Sequence, residues 1–198
     1  IEAGLPFMEV KKALNFNVRK IVGVVASHSH KDHSGYIDQY VGTCPIYKPY
    51  EVLLPYDRFG HFFIKPFELV HDVECYGFYI EHPDMGNLIY ASDTEYIKYR
   101  FRNINHMLVE ANYSDDLIDH DAINREHILR GHLSLQTALT FISTNDNPAL
   151  KNVVLIHLSA SNSDSNIFLQ KTKETIKYGA DVFIADKGLS VNFDLIPF

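Results

Sequence analysis

Tryptophan is absent from this 198-residue chain, and cysteine occurs only twice, at Cys44 and Cys75. The first absence leaves the 13% aromatic content to phenylalanine and tyrosine alone. The second excludes a disulfide framework and a thiolate metal site, because two widely separated thiols have no metal-ligand spacing. So few cysteines fit a reducing compartment, and both read as small core residues. A basic surplus is also lacking: 18 Lys and Arg face 25 Asp and Glu, a formal net charge of −7. That argues against a broadly basic nucleic-acid surface. It leaves a nucleic-acid substrate open, since bound cations supply positive charge where a phosphate docks. No apolar run is long enough to cross a bilayer and no signal peptide is visible, so no membrane partner is expected and the cytoplasm is the expected location. With 46% hydrophobic and 22% charged residues and no repeat or linker, residues 1–198 read as one globular domain with a sizeable core.

What the chain does hold is histidine, eleven in all. Three of them stand within six positions in His28-Ser29-His30-Lys31-Asp32-His33, the pattern H-x-H-x-D-H. The preceding stretch, 20–27, reads as a buried strand, so the cluster lies where a strand gives way to a loop. Residues i and i+2 of an extended segment point the same way, so His28 and His30 are expected to grip one metal. Asp32 and His33 follow a turn and are expected to face a second. Imidazole with carboxylate suits zinc, with manganese or iron as alternatives.

Along the rest of the chain the patterning predicts a helix over 4–14 with Pro6 at its first position, and a short helix over 34–41. Strands are expected at 45–47, 67–71, 76–80, 87–91, 107–110, 153–156, 181–185 and 189–194. Further helices are expected over 94–101, over 134–142 with Ser134 as cap, and over 166–178. A polar segment over 113–130 reads as a candidate flap. The whole is a layered α/β protein. The opening Ile1-Glu2-Ala3-Gly4 reads as the end of a strand entering a turn, as if upstream strands were missing. One sheet would then carry an exposed edge, which is compatible with oligomerisation.

His71, Asp93 and His157 each fall at the end of an expected strand, where α/β architectures place chemistry. A two-metal hydrolytic centre needs several ligands per cation, a bridging group and an open position for water. His28, His30 and His71 would hold the first cation, and Asp32, His33 and His157 the second. Asp93 would bridge them, since a carboxylate offers two oxygens. A water shared by two such cations is acidified toward hydroxide.

The order H-x-H-x-D-H, His71, Asp93, His157 resembles the metallo-β-lactamase superfamily over nearly the whole chain. The resemblance implies an αβ/βα sandwich with two mixed sheets inside and helices outside. Glu2-Ala3-Gly4 stands where that family has D-x-G. Gly131-His132-Leu133-Ser134 resembles the extra histidine motif of the nucleic-acid-processing branch, which includes tRNase Z and ribonuclease J. Leu108-Val109-Glu110-Ala111-Asn112 resembles the strand after the bridging aspartate in the same branch. The combination looks most like small single-domain YycJ/WalJ-like phosphodiesterases. The resemblance implies a hydrolase cleaving phosphodiester bonds of single-stranded DNA or RNA by a metal-bridging hydroxide. In it, Asp32 also orients or deprotonates the nucleophile, His132 stabilises or protonates the leaving oxygen, and Glu110 orients His132. The alternatives are a metal-dependent hydrolase of a thioester, lactone or small phosphodiester, and a non-catalytic metal-stabilised binding protein. His61, His82, His106, His120 and His127 read as surface or supporting residues.

Overall fold

The computed structural model describes residues 1–118 and 129–196. Two sheets lie at its centre. The larger has seven strands in the order β3-β4-β5-β6-β7-β8-β9: β3 (Asp57–Phe59), β4 (Phe62–Leu69), β5 (Cys75–His82), β6 (Gly86–Ala91), β7 (His106–Glu110), β8 (Asn152–Ile156) and β9 (Asp181–Ile184). The smaller pairs β1 (Val24–Val25) in parallel with β2 (Ile46–Tyr47). The helices are α1 (Phe7–Ala13), the single turn α2 (Lys31–Ser34), α3 (Leu135–Asn145) and α4 (Ser165–Thr175).

Side-chain alternation along the large sheet sorts its residues onto two faces. Ile89, Ala91, Met107, Val109, Val153 and Leu155 pack with Leu135, Ala138, Phe141 and Ile142 of α3 and Phe168 of α4. Phe78, Ile80, Leu88 and Tyr90 point the other way and pack against Val25 and Tyr47 of the small sheet. Beyond the small sheet, Val24 and Ala26 pack on Phe7 of α1. The sequence of layers is therefore helix, sheet, sheet, helix, the αβ/βα sandwich expected.

Strand direction explains where the ligand candidates meet. The β3 to β6 pairs are antiparallel and β6 to β9 are parallel. Strands β4, β6, β7 and β8 thus all run the same way, and their C-terminal ends open on one edge. His71, Asp93, Glu110 and His157 lie at or just beyond those four ends, the position where open α/β sheets hold ligands.

Several sequence expectations are corrected. The strand over 20–27 is reduced to Val24–Val25, because among the described residues its only sheet partner is the two-residue β2; 18–20 form a 3-10 turn instead. The helix over 34–41 divides into α2 and a 3-10 turn over Ile37–Tyr40. No helix forms over 94–101. There Thr94 turns inward: its hydroxyl accepts from the Val70 and Tyr96 amides at 3.0 and 3.3 Å, and its own amide goes to Glu110. The expected last strand over 189–194 is irregular. Pro6 caps α1 from outside its first turn, with extended backbone. Ser134 does cap α3, its Oγ accepting from the Thr137 amide at 3.1 Å. Most of the proposed flap over 113–130, with His120 and His127, lies outside the described residues.

No helix among the described residues is long and apolar enough to cross a membrane.

Candidate metal centre

The turn Ser27–Ser34 builds one side of the site. Its backbone is anchored from three directions. The Tyr76 amide donates to Ser27 O, the Ala3 amide to His33 O, and the Ser27 amide to Glu2 Oε2 at 3.1 Å. Gly4 packs against the same turn so closely that a Cβ there would lie 1.6 Å from Asp32 O. Gly4→Ala therefore forces backbone to move, and is expected to cost about 3 kcal/mol or more. It should also lower metal content, by displacing Asp32 and His33; a denaturation midpoint with elemental analysis checks both.

His28 is fully buried, with Nδ1 2.8 Å from Ser27 Oγ and 3.7 Å from Cys75 Sγ. Its Nε2 faces His30 Nδ1 at 3.0 Å, and His30 Nδ1 faces His71 Nε2 at 3.3 Å. Three ring nitrogens converge on one another, and protons satisfy such a cluster only in part. A cation satisfies all three. Burial, then the charge of His33, pushes the His28 pKa down to about 3, so His28 is the neutral ligand form at any working pH.

The second group is Asp32, His33, Asp93 and His157, whose ligand atoms all lie within 4.8 Å of one another. His33 Nε2 is 2.5 Å from Asp93 Oδ2 and 3.5 Å from Asp32 Oδ2. His157 Nδ1 hydrogen-bonds Asp93 Oδ1. Asp93 also reaches the first group, with Oδ2 3.4 Å from His28 Nε2, so it stands between the two as a bridging carboxylate would. Asp93 and His157 both have left-handed backbone, φ 52° and 58°, a conformation uncommon outside glycine that turns each side chain back over the strand ends.

Glu110, fully buried, ties three segments together. Its Oε2 accepts from the Thr94 amide at 3.0 Å and the Leu133 amide at 3.3 Å. Its Oε1 lies 2.7 Å from His132 Nδ1 and 3.1 Å from His157 Nδ1. His132 Nδ1 is also 3.5 Å from Asp93 Oδ1. The loops carrying Asp93, His132 and His157 are thus registered on one carboxylate.

The charges reinforce this geometry. Burial opposes protonation of the rings, but hydrogen bonds to Asp93 and Glu2 carry His33 up to about 10. Asp93 and Glu110 likewise carry His157 to about 10 and His132 to about 9. Burial opposes the Asp93 carboxylate too, yet hydrogen bonds from His132, His157 and His33 hold it well below the usual range. Protons thus fill the roles that cations would take. Because these rings titrate above the ordinary 6.5, their contribution to the metal-free fold is complete below that value and lost as pH rises toward 9–10. Binding a cation at the second group must displace protons from His33 and His157. Affinity is therefore expected to rise with pH, with more than one proton released near neutrality. Calorimetry in two buffers of different ionisation enthalpy reads the number; no release would contradict it.

The donor set, five imidazoles and two carboxylates, suits divalent cations and zinc in particular. All seven ligand candidates from the sequence are gathered in the two groups, and Glu110 and His132 form a third with Asp93 and His157. Residues the sequence did not single out also take part. Ser27 Oγ lies 2.8 Å from His28 Nδ1 and would accept its proton were Nε2 given to a metal. Asp72 lies 3.0 Å from His71 Nε2 and 3.6 Å from His30 Nε2. Cys75, read as an ordinary core residue, packs beside His28 through cross-strand placement that has no local sequence signal. His106 is a correction. It is neither at the surface nor near the site but fully buried at the opposite end of β7, donating Nε2–H to Met85 O at 3.0 Å and accepting from Asn152 at Nδ1. His61 is exposed and His82 half-buried.

No family profile matches the sequence, and no curated protein does. Solved structures do match. The metallo-β-lactamase fold protein YhfI from Bacillus subtilis superposes with a TM-score of 0.71 at 19% identity, over 95% of this chain and 84% of that one. The short form of human tRNase Z gives 0.61 at 13% identity, over 98% and 87%. Isothiocyanate hydrolase from Delia radicum gut bacteria gives 0.60 at 14% identity, over 96% and 82%. Layer order, strand topology and these likenesses agree: the chain has the metallo-β-lactamase fold.

Proposed function

We propose that the chain is a metal-dependent hydrolase of phosphodiester bonds in single-stranded nucleic acid, with residues 1–198 acting as one catalytic domain. The observation that carries this reading is the Glu110–His132 pair beside Asp93. His28, His30 and His71 would hold one cation, and Asp32, His33 and His157 another, with Asp93 between them. Two divalent cations, zinc first and manganese second, would supply Lewis acidity toward a phosphoryl oxygen and toward water.

The protein's own groups do the rest. Glu110 holds the His132 ring by Nδ1 and favours its protonated form. The ring then places positive charge beside Asp93, where a scissile phosphate would sit. It can pass a proton to a departing sugar oxygen, which is strongly basic and leaves poorly without one. With Asp93 neutralised by bound cations, the His132 pKa, raised to about 9 without them, would fall toward the working pH, where acid catalysis is most effective. Asp32, exposed on the turn 3.5 Å from His33 Nε2, would orient a water or accept its proton. A thiolate leaving group needs no such acid, since a thiol ionises near pH 8.5. The His132 device therefore favours a phosphodiester over a thioester. Among the likenesses, one solved structure is a tRNase Z and another an isothiocyanate hydrolase. The narrower likeness to YycJ/WalJ-like phosphodiesterases belongs to the same proposal.

Digestion of labelled single- and double-stranded DNA and RNA, with Zn²⁺ or Mn²⁺ added to chelator-treated protein, tests it. Metal-dependent cleavage of a single strand is expected. Turnover of thioesters with no cleavage of any nucleic acid would contradict it.

A further inference from the structure

Strand β3 pairs with β4 only at Phe62, Phe63 and Ile64. From 65 to 69 the outer edge of β4 has no strand partner among the described residues. A groove of about 930 Å³ lies there, between the 53–55 segment on one side and the 99–102 segment on the other. Two kinds of side chain dominate it. Phe63, Tyr79, Tyr99 and Phe101 are half-buried rings, with Tyr79 and Phe101 stacked at 8° and Phe101 5.0 Å from Phe67. Lys65, Arg100 and Arg102 are exposed cations. Of the two carboxylates in the groove, Glu68 and Glu81, the first is taken up by Lys98 at 2.7 Å. The second, Glu81, accepts a hydrogen bond from Tyr79, so the groove holds a small excess of positive charge in a chain whose net charge is −7.

The groove leads to the metal centre. Its Glu68–Lys98 end lies on β4 just ahead of His71. Val70, between them, is tied to the segment after Asp93 by the Thr94 hydroxyl at 3.0 Å and the Glu95 amide at 2.8 Å. Half-buried rings interleaved with exposed cations are the chemistry that holds a single strand: bases stack on the exposed parts of the rings irrespective of sequence, and phosphates meet the cations. A duplex keeps its bases inside and offers the rings nothing.

We propose that this groove binds a single-stranded nucleic acid and directs it to the metal centre, an inference that rests on the phosphodiesterase reading for its choice of ligand. Tyr99 and Phe101 receive bases; Lys65, Arg100 and Arg102 receive phosphates. The probes are fluorescein-labelled oligothymidylate and oligouridylate of about 20 nucleotides, a length that spans such a groove. Binding to the full chain is followed by anisotropy in chelator, so that no cleavage intervenes. Tyr99→Ala is expected to weaken binding roughly tenfold. The double variant Arg100→Ala/Arg102→Ala is expected to weaken it further. It should also make the dependence of log affinity on log salt shallower by about 1.4, at about 0.7 per phosphate contact on a single strand. Thermal melting equal to wild type shows that each variant is folded. Unchanged affinity and unchanged salt slope in folded variants would overturn the proposal. So would a change of oligomeric state with oligonucleotide affinity intact, which would make the face an interface between copies. Wild-type turnover of bis(p-nitrophenyl) phosphate with added metal tests the hydrolase reading separately. Turnover with groove-independent oligonucleotide binding removes the groove alone, and groove binding without turnover removes the hydrolase reading alone.

Discussion

Asp93→Ala is expected to reduce metal content from two cations per chain to one or none, and to lower phosphodiester hydrolysis by a factor on the order of 10³ or more. The reason lies in what surrounds this carboxylate. It is buried, and His28, His33, His132 and His157 all approach it. Among the described residues the neighbouring carboxylates are less well placed between the two groups: Asp32 sits on the exposed side, Asp72 faces His30 and His71 of the first group, and Glu110 is already committed to two amides and two rings. The metal-free protein should also lose stability. Removing one partner of a buried charge cluster costs about 3–5 kcal/mol. The lower end is expected here, because His33 and His157 can shed their protons once Asp93 is gone. Their pKa values, about 10 in the metal-free protein, should fall toward 6.5. Metal analysis, turnover, and NMR titration of the histidine rings read the three effects independently. Full metal content and wild-type turnover in Asp93→Ala would end the assignment.

His132→Ala should separate chemistry from metal binding. This ring belongs to neither of the two groups assigned to cations, and its Nδ1 is engaged by Glu110. Both cations should therefore remain. Loss of a positioned acid costs on the order of 10²–10⁴ in rate, and the loss should appear in kcat for substrates with a sugar-alkoxide leaving group. Thioester or activated aryl-phosphate substrates, whose leaving groups need no proton, should be affected far less. Glu110→Gln is expected to act the same way more weakly. It keeps a hydrogen-bond acceptor for the amides but removes the charge that favours protonated His132. The pH profile of kcat should then move to lower pH on its alkaline side. An equal loss for both leaving-group classes would assign His132 a structural role only.

The convergence of the candidate ligands was legible because each candidate carries a local signal: a dense H-x-H-x-D-H turn, and His or Asp at the end of an apolar run. Such runs become strands, and four of them point the same way, so strand ends read one at a time converge in three dimensions. The central strands were legible for the same reason, since continuous apolar runs such as 88–91 and 153–156 reflect a sheet buried on both faces. The failures have a common physical origin in tertiary contacts. The apolar run 20–27 has strand propensity, but without a long neighbour it pairs only at Val24 and Val25. The run 94–101 has a helical pattern, but tertiary ties hold its start: the Thr94 amide donates to Glu110, the Thr94 hydroxyl accepts from the Val70 amide, and the Glu95 amide donates to Val70 O. His106 resembles the site histidines in type and differs only in which end of β7 it occupies. Asp72, Ser27 and Cys75 were invisible because nothing in their immediate sequence says which ring they will face.

Anomalous diffraction from crystals soaked in Zn²⁺ tests the central claim most directly. Two peaks are expected. One should lie among the ring nitrogens of His28, His30 and His71, and the other among Asp32, His33 and His157. Asp93 oxygens should be within about 2.2 Å of both peaks. A single peak elsewhere, or none with the His28, His30 and His71 nitrogens still hydrogen-bonded to one another, would contradict it.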